Sequence, residues 1–223
     1  MTYEEFKNII NDEFPHINEV QYALFEKLEE IYKEWNSKIN VISRKDIDQV
    51  YRHHVLHSIC IATYLLNEQP EIFKELSNGT QEIKILDLGT GGGFPGIPLA
   101  ILFPKVKFTL CDSVGKKIIV ASEVAKFLNL KNVTCVNARA ESLGETFDYV
   151  VSRAVTSLDK FMPWVKGKYK KGILYLKGGD VVEEIAQTMG EFKLKKNSVN
   201  VWKINSWLKD EYFDGKLVIH IEA

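Results

Sequence analysis

Four glycines fall within the five positions Gly89 to Gly93, and they constrain this 223-residue chain more than any other stretch. They follow Ile85-Leu86-Asp87-Leu88, a short apolar run suited to a buried strand. They lead through Phe94-Pro95-Gly96 into Ile97-Pro98-Leu99, where a helix can begin because proline is tolerated in a first turn. Glycine loses more chain entropy on folding than any other residue, so this density is costly unless the bare backbone is used. Without side chains at 89, 91 and 93 a ligand can approach the main chain, and free N–H groups at the helix start favour a carboxylate or phosphate. Gly91, Gly93 and Gly96 alone make a GxGxxG spacing, which is a weak signal. Two acids sharpen it. Asp87 stands two residues before Gly89, within reach of the turn's backbone or a ligand ammonium. Asp112 ends the next β-rich run, Phe108–Cys111, roughly 20 residues on, where an acid grips ribose hydroxyls. A nicotinamide or flavin dinucleotide would use Asp112 in the same way, but it does not ask for Asp87 or for the Gly-Gly-Gly-Phe-Pro-Gly continuation.

The turn sits in an alternating pattern. Strands are predicted at Lys84–Leu88, Lys107–Cys111, Val133–Asn137, Tyr149–Ser152 and Gly172–Leu176, with helices at Ile97–Phe103, Lys116–Leu128, Leu158–Val165 and Val181–Met189. Such alternation predicts a parallel sheet covered by helices on both faces. Val199–Ile204 and Lys216–Ile221 flank Asp214-Gly215 and are expected to close the sheet as an antiparallel hairpin. The first part reads as helical: Val20, Leu24, Leu28, Ile31 and Trp35 share one face, and a second apolar helix runs from about Ile47 to Leu66. Residues 77–82 are turn-rich, so a helical extension over 1–78 and a ligand-binding domain over 79–223 are expected.

Composition narrows the setting. A net charge of −1 excludes a broadly basic nucleic-acid binder but leaves room for a local basic face. Cys60, Cys111 and Cys135 lack CxxC spacing and suggest reduced, buried thiols. No apolar run is long enough to cross a bilayer and the first residues are acidic, so a cytoplasmic chain with no membrane role is expected. His53 and His57 have i,i+4 spacing, yet no further ligand accompanies them and no metal is expected.

Asp87–Pro98 resembles the S-adenosylmethionine-binding motif of class I methyltransferases. In the form Gly-Thr-Gly-Gly-Gly-Phe-Pro-Gly-Ile-Pro it resembles the RsmG (GidB) family, bacterial enzymes that methylate guanine N7 in 16S ribosomal RNA. Further matches lie at Trp35-Asn36-Ser37-Lys38-Ile39-Asn40-Val41, at Asp112-Ser113 with Lys116-Lys117, and at Arg139-Ala140-Glu141, Ser152-Arg153-Ala154 and Leu176-Lys177-Gly178. The resemblance implies a Rossmann-like sheet of seven strands, mainly parallel, with S-adenosyl-L-methionine as cofactor. It also implies 16S ribosomal RNA or the small ribosomal subunit as partner, and a monomer. It implies cofactor contacts from Gly89, Phe94, Ala140, Glu141 and Arg153, beside Asp87, Gly91 and Asp112 from the reading above. The chain departs from the family where Arg-His-x-x-Asp-Ser is common: His53 and His57 stand in place of the Arg and Asp, with Arg52 next door. The family's C-terminal arginine has only Lys216 as its nearest cation.

Guanine N7 carries a lone pair in the neutral base, so methyl transfer to it needs positioning and no deprotonation. The sequence fits: no Asn-Pro-Pro-Tyr or Asp-Pro-Pro-Tyr follows the fourth strand, and no Pro-Cys offers a nucleophile. No acid–base pair is singled out as catalytic. Arg139, Arg153 and Lys177 are the candidates for holding the guanine or nearby phosphates, weighed against ordinary ion pairing. Two lysine clusters, Lys166/Lys168/Lys170/Lys171 and Lys193/Lys195/Lys196, are either solvated faces or RNA contacts. A small-molecule methyltransferase and a non-catalytic RNA-binding or assembly factor remain the alternatives.

Overall fold

The computed structural model describes residues 1–153 and 155–223, so Ala154 of the Ser152-Arg153-Ala154 triplet lies outside the described residues. Seven strands form one sheet: β1 (Lys84–Leu88), β2 (Lys107–Asp112), β3 (Val133–Asn137), β4 (Phe147–Arg153), β5 (Tyr169–Gly178), β6 (Val199–Lys203) and β7 (Lys216–Glu222). Their order is β3-β2-β1-β4-β5-β7-β6. The first five are parallel, and β7 runs antiparallel to both its neighbours. The last two strands do pair antiparallel, but residues 204–215 link them through two 3₁₀ turns, so Asp214-Gly215 is the approach to β7 and not a two-residue hairpin turn.

Strand parity assigns each side chain to a face. Ile85, Tyr149, Val151, Leu174 and Leu176 bury into one apolar cluster, and Leu86, Leu88, Val150, Ile173 and Tyr175 into the other. The first cluster also takes in Phe6, Phe25, Leu28, Ile31, Tyr32, Val55 and Ile59 from the N-terminal helices. Helices α6 (Gly96–Leu102) and α7 (Gly115–Phe127) lie on this face, and α8 (Leu158–Val165) supplies Leu158, Phe161 and Met162 to the other. Helix α9 (Val182–Glu191) packs beside α8.

Five helices precede β1, and their starts follow from caps. Helix α1 (Tyr3–Glu13) opens with Thr2 and Glu5 exchanging hydrogen bonds, and α2 (Glu19–Glu26) opens with Asn18 and Gln21 doing the same. Helix α3 (Leu28–Lys38) starts after a break at Lys27, which turns its register relative to α2. The single stripe expected from Val20 to Trp35 is therefore corrected. Val20 falls in the first turn of α2 and is 70% exposed, Trp35 is half-buried, and the buried face is Tyr22, Phe25, Leu28, Ile31 and Tyr32. The helix expected from Ile47 to Leu66 is a 3₁₀ turn, a π-helical turn over Val50–Leu56, and then α4 (His57–Glu68). Pro70 ends that run and opens α5 (Pro70–Asn78) at its first position.

Helix α6 is only seven residues long and wholly buried, so its last carbonyls need partners within the protein. Gln21 Nε2 donates to Ile101 O and Leu102 O at 2.9 and 3.0 Å. Asn132 Nδ2 donates to Ala100 O at 3.1 Å, Phe103 O at 3.3 Å and Val106 O at 3.1 Å. These amides fix the far end of the helix whose start carries the glycine turn. Asn132→Ala strands buried carbonyls and is expected to lower unfolding free energy by about 1–3 kcal/mol. Urea denaturation checks this, and an unchanged midpoint contradicts it.

Candidate functional site

The glycine turn leaves the carboxyl end of β1 and is tied at once to β2: Gly89 and Thr90 N–H donate to Cys111 O at 2.8 and 3.1 Å. Asp87 shares the face of Ile85, toward α6, and is 0% exposed. Thr90 Oγ1 donates to its Oδ2 at 2.5 Å, and Gly96 N–H, at the first position of α6, donates to the same oxygen at 2.8 Å. One carboxylate oxygen thus closes the turn from within. A Cβ at Gly96 would stand 2.6 Å from that oxygen, so only glycine admits the contact. Burial raises the Asp87 carboxyl to about 7, against the lowering effect of these two bonds. Its Oδ1 is buried without a hydrogen-bond partner among the described residues.

Gly91 serves a different purpose. Its φ of +58° suits glycine, and a Cβ there would meet nothing within 4 Å, so it faces open space. That space is a cavity of about 660 Å³ whose lining includes Gly89, Gly91, Phe94, Asp112, Arg153 and the Ala138–Glu141 segment. Asp112, 7% exposed at the end of β2, accepts from Gly91 N at 2.9 Å through Oδ2 and from Val114 N at 2.8 Å through Oδ1. Ala140 and Glu141 begin a 3₁₀ turn after β3. Among the eight expected cofactor residues, seven line this cavity; Asp87 sits beneath it and serves the turn instead.

Arg153 ends β4 with the parity of Tyr149 and Val151, which points it to the face of the N-terminal helices. Its Nη1 donates to His53 O at 3.1 Å, and its Nη2 lies 2.8 Å from His54 Nδ1. The guanidinium carbon is 5.1 Å from the centre of the Phe94 ring, which stacks on Tyr32 at 4.6 Å. Tyr32 hydroxyl donates to Gly92 O at 2.9 Å, so the N-terminal helices grip the turn directly. Asn36 accepts from Val41 and Ile42 N–H at 2.8 and 2.9 Å and donates to Ile42 O at 2.9 Å, folding the loop that brings Val41 to the cavity wall.

Lys177, one residue past Leu176, has the opposite parity and faces α9, where it pairs with Glu184. It does not line the cavity; the plain ion pair describes it. Arg139 is exposed at the rim. The lysine clusters precede or open β5 and β6, two strands running the same way, at the end of the sheet opposite the cavity. Two of those lysines are engaged, Lys168 with Leu143 O and Lys171 with Glu75. His53 stacks on Tyr212 and meets Asp46 at 2.7 Å, and His57 is buried beside Tyr212. No group of three metal-ligating side chains occurs among the described residues. Lys117, Val155 and Trp164 also line the cavity; Lys117 lies within a matched stretch, but nothing local in the sequence marks the other two.

The sequence model described as rRNA small subunit methyltransferase G matches residues 21–209. Ribosomal RNA small subunit methyltransferase G of Flavobacterium psychrophilum is 46% identical over 93% of this chain and 94% of its own length. The protein of that name from Porphyromonas gingivalis is 46% identical over 96% of this chain and 92% of its own. Among solved structures, magnesium protoporphyrin IX methyltransferase from Synechocystis, with bound SAM, superposes with a TM-score of 0.60 at 13% identity, covering 97% of this chain and 96% of that one. The plantazolicin methyltransferase BpumL, in complex with SAH, gives 0.52 at 11% identity, covering 98% and 97%. These two share the fold.

The raised Asp87 carboxyl makes stability depend on pH. Its ordinary value is 3.8 and its folded value about 7, so the stabilisation present below pH 3.8 is lost as pH rises toward 7 and is level above that. Asp87→Asn keeps an acceptor for Thr90 and Gly96 and removes the titration. The stability of the wild type relative to this variant is therefore expected to fall by a few kcal/mol between about pH 4 and 7. A pH-independent difference in denaturant midpoint contradicts the assignment.

Proposed function

The chain belongs to the rRNA small subunit methyltransferase G family, and from that premise we propose that it transfers a methyl group from S-adenosylmethionine to N7 of a guanine in 16S ribosomal RNA. The observation that carries this reading is the cavity over Gly91: a positive-φ glycine with open space above it, bordered by the Asp112 carboxylate and the Arg153 guanidinium. That combination suits a ligand with a ribose and an amino-acid end.

In this reading the backbone at Gly89 and Gly91 borders the donor's amino-acid end, Asp112 accepts from the ribose hydroxyls, and Ala140 and Glu141 border the adenine. Phe94 and Arg153 form the wall on the side of the N-terminal helices. S-adenosylmethionine supplies an electrophilic methyl group on a sulfonium. The guanine brings its own lone pair, so the protein's work is to hold the two reactants in line and keep the base oriented. Arg153, and Arg139 exposed at the rim, are the residues proposed to hold phosphate or guanine O6. An arginine on N7 itself would block the reacting atom.

The proposal extends to organisation: residues 1–78 act as a helical extension that supports the turn, and 79–223 as the methyltransferase domain. Tyr32 and Val41 support it from the side of the extension, through the Gly92 carbonyl and the cavity wall. No helix among the described residues is long and apolar enough to cross a membrane. A cytoplasmic monomer acting on the small subunit or its RNA completes the reading.

Small subunits from a strain lacking the modification, incubated with the protein and labelled S-adenosylmethionine, are expected to carry label at a guanine N7. Gly89→Leu forces a side chain onto Val155 at the cavity wall and is expected to cut the rate at least about 10²-fold while the circular dichroism spectrum holds. Label found only on small molecules, or donor binding without transfer, contradicts the proposal.

A further inference from the structure

Arg153 enters the cavity wall as a cation without a carboxylate; among the described residues none lies within ion-pair distance of it. Its hydrogen-bonding partners are instead neutral, and Asp87 and Asp46 act on its charge only from beyond ion-pair distance. A guanidinium has only donors, so the His54 Nδ1 facing it at 2.8 Å must accept, which puts the imidazole proton on Nε2. That Nε2 is buried and has no partner among the described residues, a costly arrangement for a histidine serving only to fill space. Burial first, and then the Arg153 charge, push His54 down to about 3, so the ring stays neutral.

The second acceptor is equally particular. His53 O takes hydrogen bonds from Arg153 Nη1 at 3.1 Å and from Tyr212 hydroxyl at 3.0 Å. His53 and His54 both lie in the π-helical turn Val50–Leu56, and such turns redirect backbone carbonyls from the regular helical ladder. The Phe94 ring backs both groups, 5.0 Å from the His54 ring centre and 5.1 Å from the guanidinium carbon. Every one of these contacts orients Arg153, and none of them neutralises it.

We infer that His54 is a positioning residue, which aims Arg153, a guanidinium with no carboxylate paired to it, at an anionic oxygen group brought into the cavity. The inference rests on the function proposed above and gives the group two sources: the carboxylate of the methyl donor's amino-acid end, or a phosphate of the RNA. A charge-assisted bond to a carboxylate or phosphate is among the strongest single contacts a site can offer, and it depends on geometry that His54 supplies.

The test compares S-adenosylhomocysteine with 5′-methylthioadenosine, which lacks the amino-acid end, by calorimetry on the full chain. Wild-type affinity for S-adenosylhomocysteine is measured first; its absence sinks the proposed function itself and is thereby told apart from failure of this inference. His54→Phe keeps a ring against Phe94 and removes the acceptor. It is expected to weaken S-adenosylhomocysteine about tenfold or more and leave methylthioadenosine unchanged if the carboxylate is the source. If RNA phosphate is the source, both small ligands bind as in wild type while KM for the RNA rises and its salt dependence flattens. His54→Asn places an amide oxygen near the Nδ1 position and is expected to bind within about threefold of wild type. His54→Leu gives the same contrast should the phenylalanine variant not fold. Equal weakening of both small ligands, no change in either arm, or an asparagine variant as impaired as the phenylalanine one overturns the inference.

Discussion

The Oδ2 atom of Asp87 accepts from Thr90 near the start of the glycine turn and from Gly96 beyond its end, so the seven residues from Thr90 to Gly96 are gathered onto one buried atom. Everything functional in the cavity is placed relative to that loop. The Cys111 carbonyl holds the Gly89 and Thr90 amides from the β2 side, and Tyr32 holds the Gly92 carbonyl from the helical side. Burying a carboxylate is unfavourable, and its raised pKa records the cost. The return is a backbone that stands open above Gly91 with no side chain to fill it.

Strand parity then decides which charged residues can serve the site. Asp87 and Arg153 sit on β1 and β4 with the parity of Ile85 and Val151, so both turn to the face covered by the N-terminal helices. Lys177 is one register step out of phase and is spent on Glu184. The helices are therefore more than a cover. Their π-helical turn presents His53 O and His54 Nδ1 to Arg153, and the α3 loop brings Val41 to the cavity. The Arg153 contacts span about a hundred residues of chain and join the helices before β1 to the end of β4 at the site itself.

Much of this was legible before any coordinates. The β1–turn–α6 unit, the acid at the end of β2 and the alternation of strands and helices are local patterns of period and composition, and all fall where the sequence places them. The resemblance in the glycine turn pointed to the family that the comparisons show. What escaped was tertiary. The break at Lys27 rotates α3 against α2, which a periodicity count run straight through it cannot see. The lysine clusters read as either solvated faces or RNA contacts, because sequence does not say which end of the sheet they occupy. Asp87 was read as reaching either the backbone or a ligand, and only the packing of α6 gives it to the backbone. Trp164 and Val155 carry no local mark at all, since their place on the cavity wall depends on how α8 and the β4 loop meet the sheet.

The central claim is that the preformed backbone over Gly91, with Asp112 beside it, is where the methyl donor sits. Amide-resolved NMR of the ¹⁵N-labelled protein, titrated with S-adenosylhomocysteine, tests it most directly. The account predicts saturable shifts at Gly89, Gly91, Asp112, Ala140 and Glu141, and a Gly96 amide that is protected from hydrogen exchange both before and after ligand is added. Shifts confined to another surface, such as the groove lined by Phe14, Phe73 and Pro104, or a Gly96 amide that exchanges freely until ligand arrives, would contradict it.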